Sequence, residues 1–162
     1  MPRPGPRVAV DAILVENGRL LVVTRGRDPF RGRPALPGGR VELGERTEEA
    51  VRREVLEETG LRVRVASIVG VYSDPRRDPR GHTISIAYKV ARTGGVVRAG
   101  TDASAVEWVD LRSLPKLAFD HSRIVADFLA LATVRGKPRP SSTSASPSRG
   151  ATRSRRGGQK RR

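Results

Sequence analysis

Short apolar runs and strict alternation dominate the first part of the chain. RVAVDAILVE (7–16) and RLLVVT (19–24) flank Asn17-Gly18, a dipeptide suited to the positive φ angles of a tight hairpin, so the pattern predicts a first pair of strands. A loop rich in Gly, Pro and Arg follows over 25–40. Over 47–59 the period becomes helical, with Thr47 expected as the cap, Glu48 and Glu49 in the first turn and Gly60 just past the end. LRVRVASIVGVY (61–72) reads as a strand, SDPRRDPRGH (73–82) as turns, and TISIAYKV (83–90) as a strand in which Ile84, Ile86, Tyr88 and Val90 alternate with more polar neighbours. After Gly94-Gly95, AVEWVDL (105–111) reads as a further strand. Ile124, Val125, Phe128, Leu129 and Ala132 then keep helical spacing in a closing helix from about Asp120. Strands, helix, strands, helix is the order of an α/β fold whose mixed sheet packs between helices.

The helix over 47–59 carries its charge in an unusual place. At ~100° per residue, Glu54, Glu57 and Glu58 share an arc of about 100° that overlaps the stripe formed by Ala50, Val51 and Val55. A solvated helix sets its acids away from its valines, as Glu49 is, and Glu48 and Glu49 lie within reach of Arg52 and Arg53. Glu54 and Glu58 instead point inward or along the rim of the core. Arg53 is placed to neutralise Glu57 but lies on the wrong side for Glu54 and Glu58. Like carboxylates on a partly buried face repel and resist ionisation unless a cation sits between them, so the pattern predicts a bound divalent metal.

Oxygen-only ligation favours a hard cation, Mg2+, with Mn2+ able to substitute. Zinc is disfavoured, because His82 and His121 lie far from this helix in sequence. Mg2+ takes phosphate oxygens as its remaining ligands, which points to chemistry on a phosphate ester or anhydride. Immediately upstream, LPGGRVELGE (36–45) adds a Gly-Gly turn that permits close backbone approach, with Glu42 and Glu45 flanking the same site.

Composition adds a second region. Of 162 residues carrying a net charge of +15, the segment 136–162 holds nine Lys/Arg and no Asp/Glu, with almost nothing apolar. A single domain over 1–135 and a disordered basic tail over 136–162 are therefore expected. Such a polycation attracts nucleic acid without sequence preference and in a salt-sensitive way; a solubilising extension is the plainer expectation. The absence of cysteine excludes disulfides, thiolate nucleophiles and Cys metal sites, and fits a reducing cytoplasm. The longest apolar run, FLALA at 128–132, is too short for a signal peptide or a membrane span.

Residues 39–61, GRVELGERTEEAVRREVLEETGL, resemble a full Nudix box, whose fixed positions here are Gly39, Glu45, Arg53, Glu54, Val55, Glu57, Glu58, Gly60 and Leu61. A looser likeness extends over about 6–132. The resemblance implies the Nudix α/β/α sandwich and hydrolysis of a nucleoside diphosphate linked to a further group. It implies Glu54, Glu57, Glu58 and the Gly39 carbonyl as metal ligands, Glu45 as an additional acidic group of the metal site, and Arg53 as an orienting ion-pair partner, with Glu54 as the general base. Metal-assisted activation of a water for in-line attack on phosphorus agrees with that set of residues.

Substrate choice lies outside the box. Pro75 follows Gly60 by the interval seen in the ADP-ribose branch, and YSDPRRDPRGH resembles small prokaryotic ADP-ribose pyrophosphatases, which would yield AMP and ribose 5-phosphate. Arg25 and Arg27, with Arg31 and Arg33, are candidates for phosphate contacts; an ordinary arginine-rich surface loop is the competing reading. The chain has Pro34-Ala35 where relatives often carry an aromatic residue before LPGG, so base stacking would fall to Phe30, Tyr72 or elsewhere. Trp108 reads as core, Asp102 and Glu107 as alternatives for a late acidic group, and Asp120-His121 as a helix start. The alternatives are a broad-specificity or (d)NTP pyrophosphohydrolase, and a regulatory nucleic-acid-binding Nudix module anchored by the tail. A homodimer is common in the branch, and no membrane association is expected.

Overall fold

The computed structural model describes residues 5–100 and 103–135. Its strands are β1 (Arg7–Ile13), β2 (Val15–Glu16), β3 (Arg19–Arg25), β4 (Pro34–Ala35), β5 (Gly38–Arg40), β6 (Leu61–Tyr72), β7 (Thr83–Gly95) and β8 (Ala103–Asp110). Helix α1 (Thr47–Thr59) lies between β5 and β6, and α2 (His121–Arg135) closes the described chain.

The expected first strand pair forms only at its tip. Asn17 and Gly18 take φ of 50° and 73°, and β2 pairs with β3 through Val15–Leu20 and Glu16–Arg19. β1 belongs to the other sheet, of order β5-β1-β7-β6, where it runs parallel to β7 and antiparallel to β5. The second sheet joins β2, β3, β4 and β8 in antiparallel pairs. The run Ala12-Ile13-Leu14 is apolar at successive positions because protein covers it on both sides. At Leu14 the chain passes from one sheet to the other, its carbonyl accepting from Leu21 N–H at 2.9 Å.

The expected loop over 25–40 contains two short strands. β4 pairs with β3, and the glycines of β5 lie against Val10 and Asp11 of β1. Gly and Pro disguise such strands from a propensity reading. Arg46, and not Thr47, is the N-cap of α1: its N–H donates to the Glu49 carboxylate at 3.0 Å, while Thr47 is already helical and its hydroxyl meets Tyr88 Oη at 2.7 Å. Gly60, at φ 73°, ends α1 in the left-handed conformation that glycine tolerates best.

The core has two layers. Val10, Ala12, Tyr88 and Val90 pack on Ala50, Val51 and Val55 of α1, and Trp108 is partly buried against the same cluster. Ile13, Leu20, Val22 and Ala87 pack on Ile124 and Val125 of α2. Alternate residues of β1 and β7 thus serve opposite helices, which gives the expected α/β/α sandwich. Among the described residues no helix is long and apolar enough to cross a membrane. Asp102 and the segment 136–162 lie outside the described residues.

Candidate active site

The acidic face of α1 divides into two environments. Glu54 and Glu58 turn toward the Gly-Gly turn of β5, whereas the Glu57 side chain is 58% exposed. Glu58 Oε2 accepts from Gly38 N–H at 3.0 Å. Burial pushes the Glu58 carboxyl up to about 8; the Gly38 bond opposes this, and the charges of Glu54 and Asp11 add to it. Glu54, 14% exposed, is raised chiefly by burial, with Arg53 pulling the other way. Gly39 packs so closely that a Cβ there would overlap the Glu54 carboxylate.

Arg53 reaches farther than its place on the helix suggests. Its guanidinium holds Glu54 Oε1 at 2.8 Å and Glu57 Oε2 at 3.3 Å, so it does neutralise Glu54. A helical wheel follows Cα directions, and a long side chain can bend back across its neighbour. Arg53 also binds Glu45 through two nitrogens, at 2.8 and 3.0 Å, and the Arg40 carbonyl at 3.0 Å. Glu45 therefore has both oxygens engaged, and Arg53 holds its carboxyl down at about 2.

Beside this face opens a cleft of about 270 Å³. Gly38, Gly39, Arg40 and Glu58 line it, together with Arg25, Arg77, Arg80 and Phe119. Arg25 stacks on Phe119 at 4.7 Å and donates to the Pro29 carbonyl at 2.7 Å, and Arg80 lies 5.3 Å from the same ring. Phe119 (φ 52°) packs edge-to-face on Phe30 (φ 65°). Two non-glycine residues with positive φ at one cleft mark it as a constrained place. The sequence gives no signal for Phe119, whereas Arg80 belongs to the YSDPRRDPRGH segment.

Buried charges form the floor. Asp11 bonds Ser85 Oγ and lies 3.7 Å from Arg77, whose guanidinium grips Asp120 at 2.9 and 2.6 Å. His121 Nε2 is 3.3 Å from Asp11 Oδ1, and Nδ1 accepts from Leu36 N–H at 3.0 Å. The helix-start reading of Asp120-His121 is correct, with Asp11 as the carboxylate that His121 meets.

Burial lowers the His121 pKa; Asp11 and Asp120 oppose that, while Arg77 and Arg25 reinforce it. The folded value lies below the unfolded one, so the unfolded chain binds the extra proton. The stability gained from a neutral ring is complete above about pH 6.5 and is lost as pH falls below it. A melting series from pH 7.5 to 5 should show Tm declining in the parent more than in His121→Asn; parallel curves would refute this.

Of the other residues singled out by sequence, Arg25, Arg27 and Gly39 line the cleft, and Glu54 sits behind Gly39. Pro75 is exposed in a turn and does not line the cleft, although Arg77, Asp78 and Arg80 from the same segment do. Tyr72 is buried and bonds Asp127 at 2.9 Å away from the cleft, and Glu107 is exposed on β8. Among the described residues no three His, Asp or Glu side chains converge as a ready-made metal cage. Two inward carboxylates beside a glycine backbone nonetheless form an oxygen donor set that fits a hard divalent cation, with further ligands left to carbonyls, water or substrate.

Residues 5–128 match the family model described as the NUDIX domain. The chain belongs to the Nudix family. An ADP-ribose pyrophosphatase of Methanocaldococcus jannaschii is 53% identical over 124 residues, covering 76% of this Nudix chain and 73% of that one. A human 8-oxo-dGDP phosphatase is 30% identical over 113 residues, 67% of this chain and 33% of that one. A crystal structure of a bifunctional NMN adenylyltransferase/ADP ribose pyrophosphatase from Francisella tularensis, complexed with AMP and a Mn ion, superposes with a TM-score of 0.71. It is 28% identical, over 81% of this chain and 43% of that one. The chain thus spans a third of the human relative and under half of the Francisella one, and it is a Nudix hydrolase.

Proposed function

We propose that this Nudix hydrolase cleaves the diphosphate of ADP-ribose to AMP and ribose 5-phosphate with Mg2+, for which Mn2+ can substitute. The observation that carries the reading is the polarity of the cleft. Glu58 and the β5 backbone line it together with Arg25, Arg77 and Arg80, an arrangement suited to a polyanion bridging a cation and guanidinium groups. The name of the Methanocaldococcus relative supplies ADP-ribose as the diphosphate.

Glu54, Glu58 and the Gly39 carbonyl would hold the cation, with Glu57 swinging in from solvent. When bound, it draws charge off the phosphate oxygens and acidifies a water. Glu54 Oε1 is held by Arg53, which leaves Oε2 to accept the proton from the attacking water. A new P–O bond forms as the bridging anhydride bond breaks, and the departing phosphate monoester carries away the electron pair. Arg25 and Arg77 neutralise the developing charge, and Glu45 keeps Arg53 in place.

The test is product analysis over ADP-ribose, NADH, dinucleoside polyphosphates, dNTPs and 8-oxo-dGDP, with Mg2+, with Mn2+ and with chelator. Ribose 5-phosphate and AMP from ADP-ribose, at the highest kcat/KM of the panel and only with metal, are expected. Preferential release of a nucleoside monophosphate from dNTPs or 8-oxo-dGDP would keep the chemistry and replace the substrate.

A further inference from the structure

We infer that His121 is a positioning residue for hydrolysis: by accepting the Leu36 N–H it fixes the backbone over 36–39 and so aims the Glu58 carboxylate. For the chemistry at Glu58 this rests on the function proposed above; it needs no particular substrate.

The geometry runs in one direction through named atoms. Leu36 N–H points at His121 Nδ1 from 3.0 Å, so that nitrogen carries no proton and the proton of the neutral ring sits on Nε2. Nε2–H faces Asp11 Oδ1 at 3.3 Å. Asp11 is itself fixed by Ser85 and Arg77, and Arg77 by Asp120, so β1, β7, the 73–82 segment and the start of α2 together determine the ring's orientation.

The loop that receives this constraint has few other ways to move. Pro37 O accepts from Ala12 N–H and Pro34 O from Ala118 N–H, both at 2.8 Å. Gly38 lies against β1 so tightly that a Cβ would overlap the Val10 carbonyl. The next group along is Gly38 N–H, which donates to Glu58 Oε2 at 3.0 Å. Asp11, His121, Leu36, Gly38 and Glu58 thus form one chain of contacts from the floor of the cleft to its acidic wall.

Two other roles fail on the same contacts. Packing alone would be served by an apolar ring without desolvating an imidazole, which is 5% exposed. Activation of a nucleophile would require a serine or cysteine on Nε2, where Asp11 stands.

The test compares His121→Asn, which keeps an acceptor where Nδ1 lies, with His121→Gln, which keeps a polar group near Nε2 and orphans the Leu36 N–H. Kinetics are measured on whichever member of the panel the parent hydrolyses, so a wrong substrate assignment leaves the comparison intact. His121→Asn should stay within about tenfold of the parent kcat, and His121→Gln should fall roughly 10²-fold with KM little changed, as expected for a misaimed group. Equal loss in both variants, full activity in His121→Gln, or an effect confined to KM would overturn the proposal.

Nitrogen NMR of the labelled parent gives a readout independent of turnover and of variant folding. It should show His121 protonated on Nε2 with the Leu36 amide shifted downfield. A proton on Nδ1 would overturn the proposal by itself.

Discussion

Replacing Glu58 by glutamine is expected to lower turnover roughly 10²–10⁴-fold, the range for loss of a carboxylate engaged in the reaction, while the cation-free protein melts no lower than the parent. The substitution conserves volume, and the remaining amide oxygen can still accept from Gly38 N–H, so the fold loses little. The charge is another matter. Burial holds the Glu58 pKa near 8, above its unfolded value, so the folded chain binds the extra proton between the two. By linkage, the contribution of Glu58 to stability falls as pH rises through that window. Glutamine removes the penalty, and a cation bound at the proposed site would remove it in the parent. Steady-state kinetics beside thermal melts at pH 8 decide the matter. Turnover within tenfold of the parent would remove Glu58 from the chemistry, and a strongly lowered Tm would refute the electrostatic account.

Alanine at Gly39 and at Gly38 should fail in different ways although the residues are adjacent. At Gly39 the atoms nearest the added methyl are those of the Glu54 carboxylate, the end of a flexible side chain that Arg53 holds. The side chain can yield, so Gly39→Ala should fold with a small change in Tm but lose roughly 10²-fold in kcat, because Glu54 would be displaced from the place its proposed role requires. At Gly38 the methyl meets the Val10 carbonyl and the Asp11 backbone, which belong to the sheet. Gly38→Ala should therefore cost about 1–3 kcal/mol or more in denaturant melts. A Gly39→Ala protein that keeps full activity, or a Gly38→Ala protein as stable as the parent, would break the corresponding half of the argument.

Residues near one another in sequence were the legible ones. The amphipathic conflict on α1, the Gly60 stop and the box from Gly39 to Leu61 all lie within one stretch of 23 residues, and the structure places the helix and its Gly60 end where their spacing requires. The assignment of β1 to its sheet was not legible, because alternation says that a strand is covered and not by which neighbour. The reach of Arg53 to Glu54 escaped a wheel that records only where side chains begin. His121 read as a mere helix start because its partners, Asp11 and Leu36, are remote in sequence. One signal was available: Asp11 interrupts the otherwise apolar run VAVDAILV, and a carboxylate in such a place needs a buried partner. Phe119 and Phe30 owe their places to backbone conformations that no local pattern encodes.

The crossing at Leu14 means that one unbroken stretch of backbone, from Arg7 to Glu16, is a member of both sheets. Neither sheet can fray at this seam without pulling register from the other. The Gly38–Arg40 ribbon that lies against Glu54 and Glu58 is zipped to that same stretch. Hydrogen exchange at β1, β3 and β5 should consequently report a single opening event, and the wall of the cleft inherits the slow breathing of the whole domain instead of the faster motion of a surface turn.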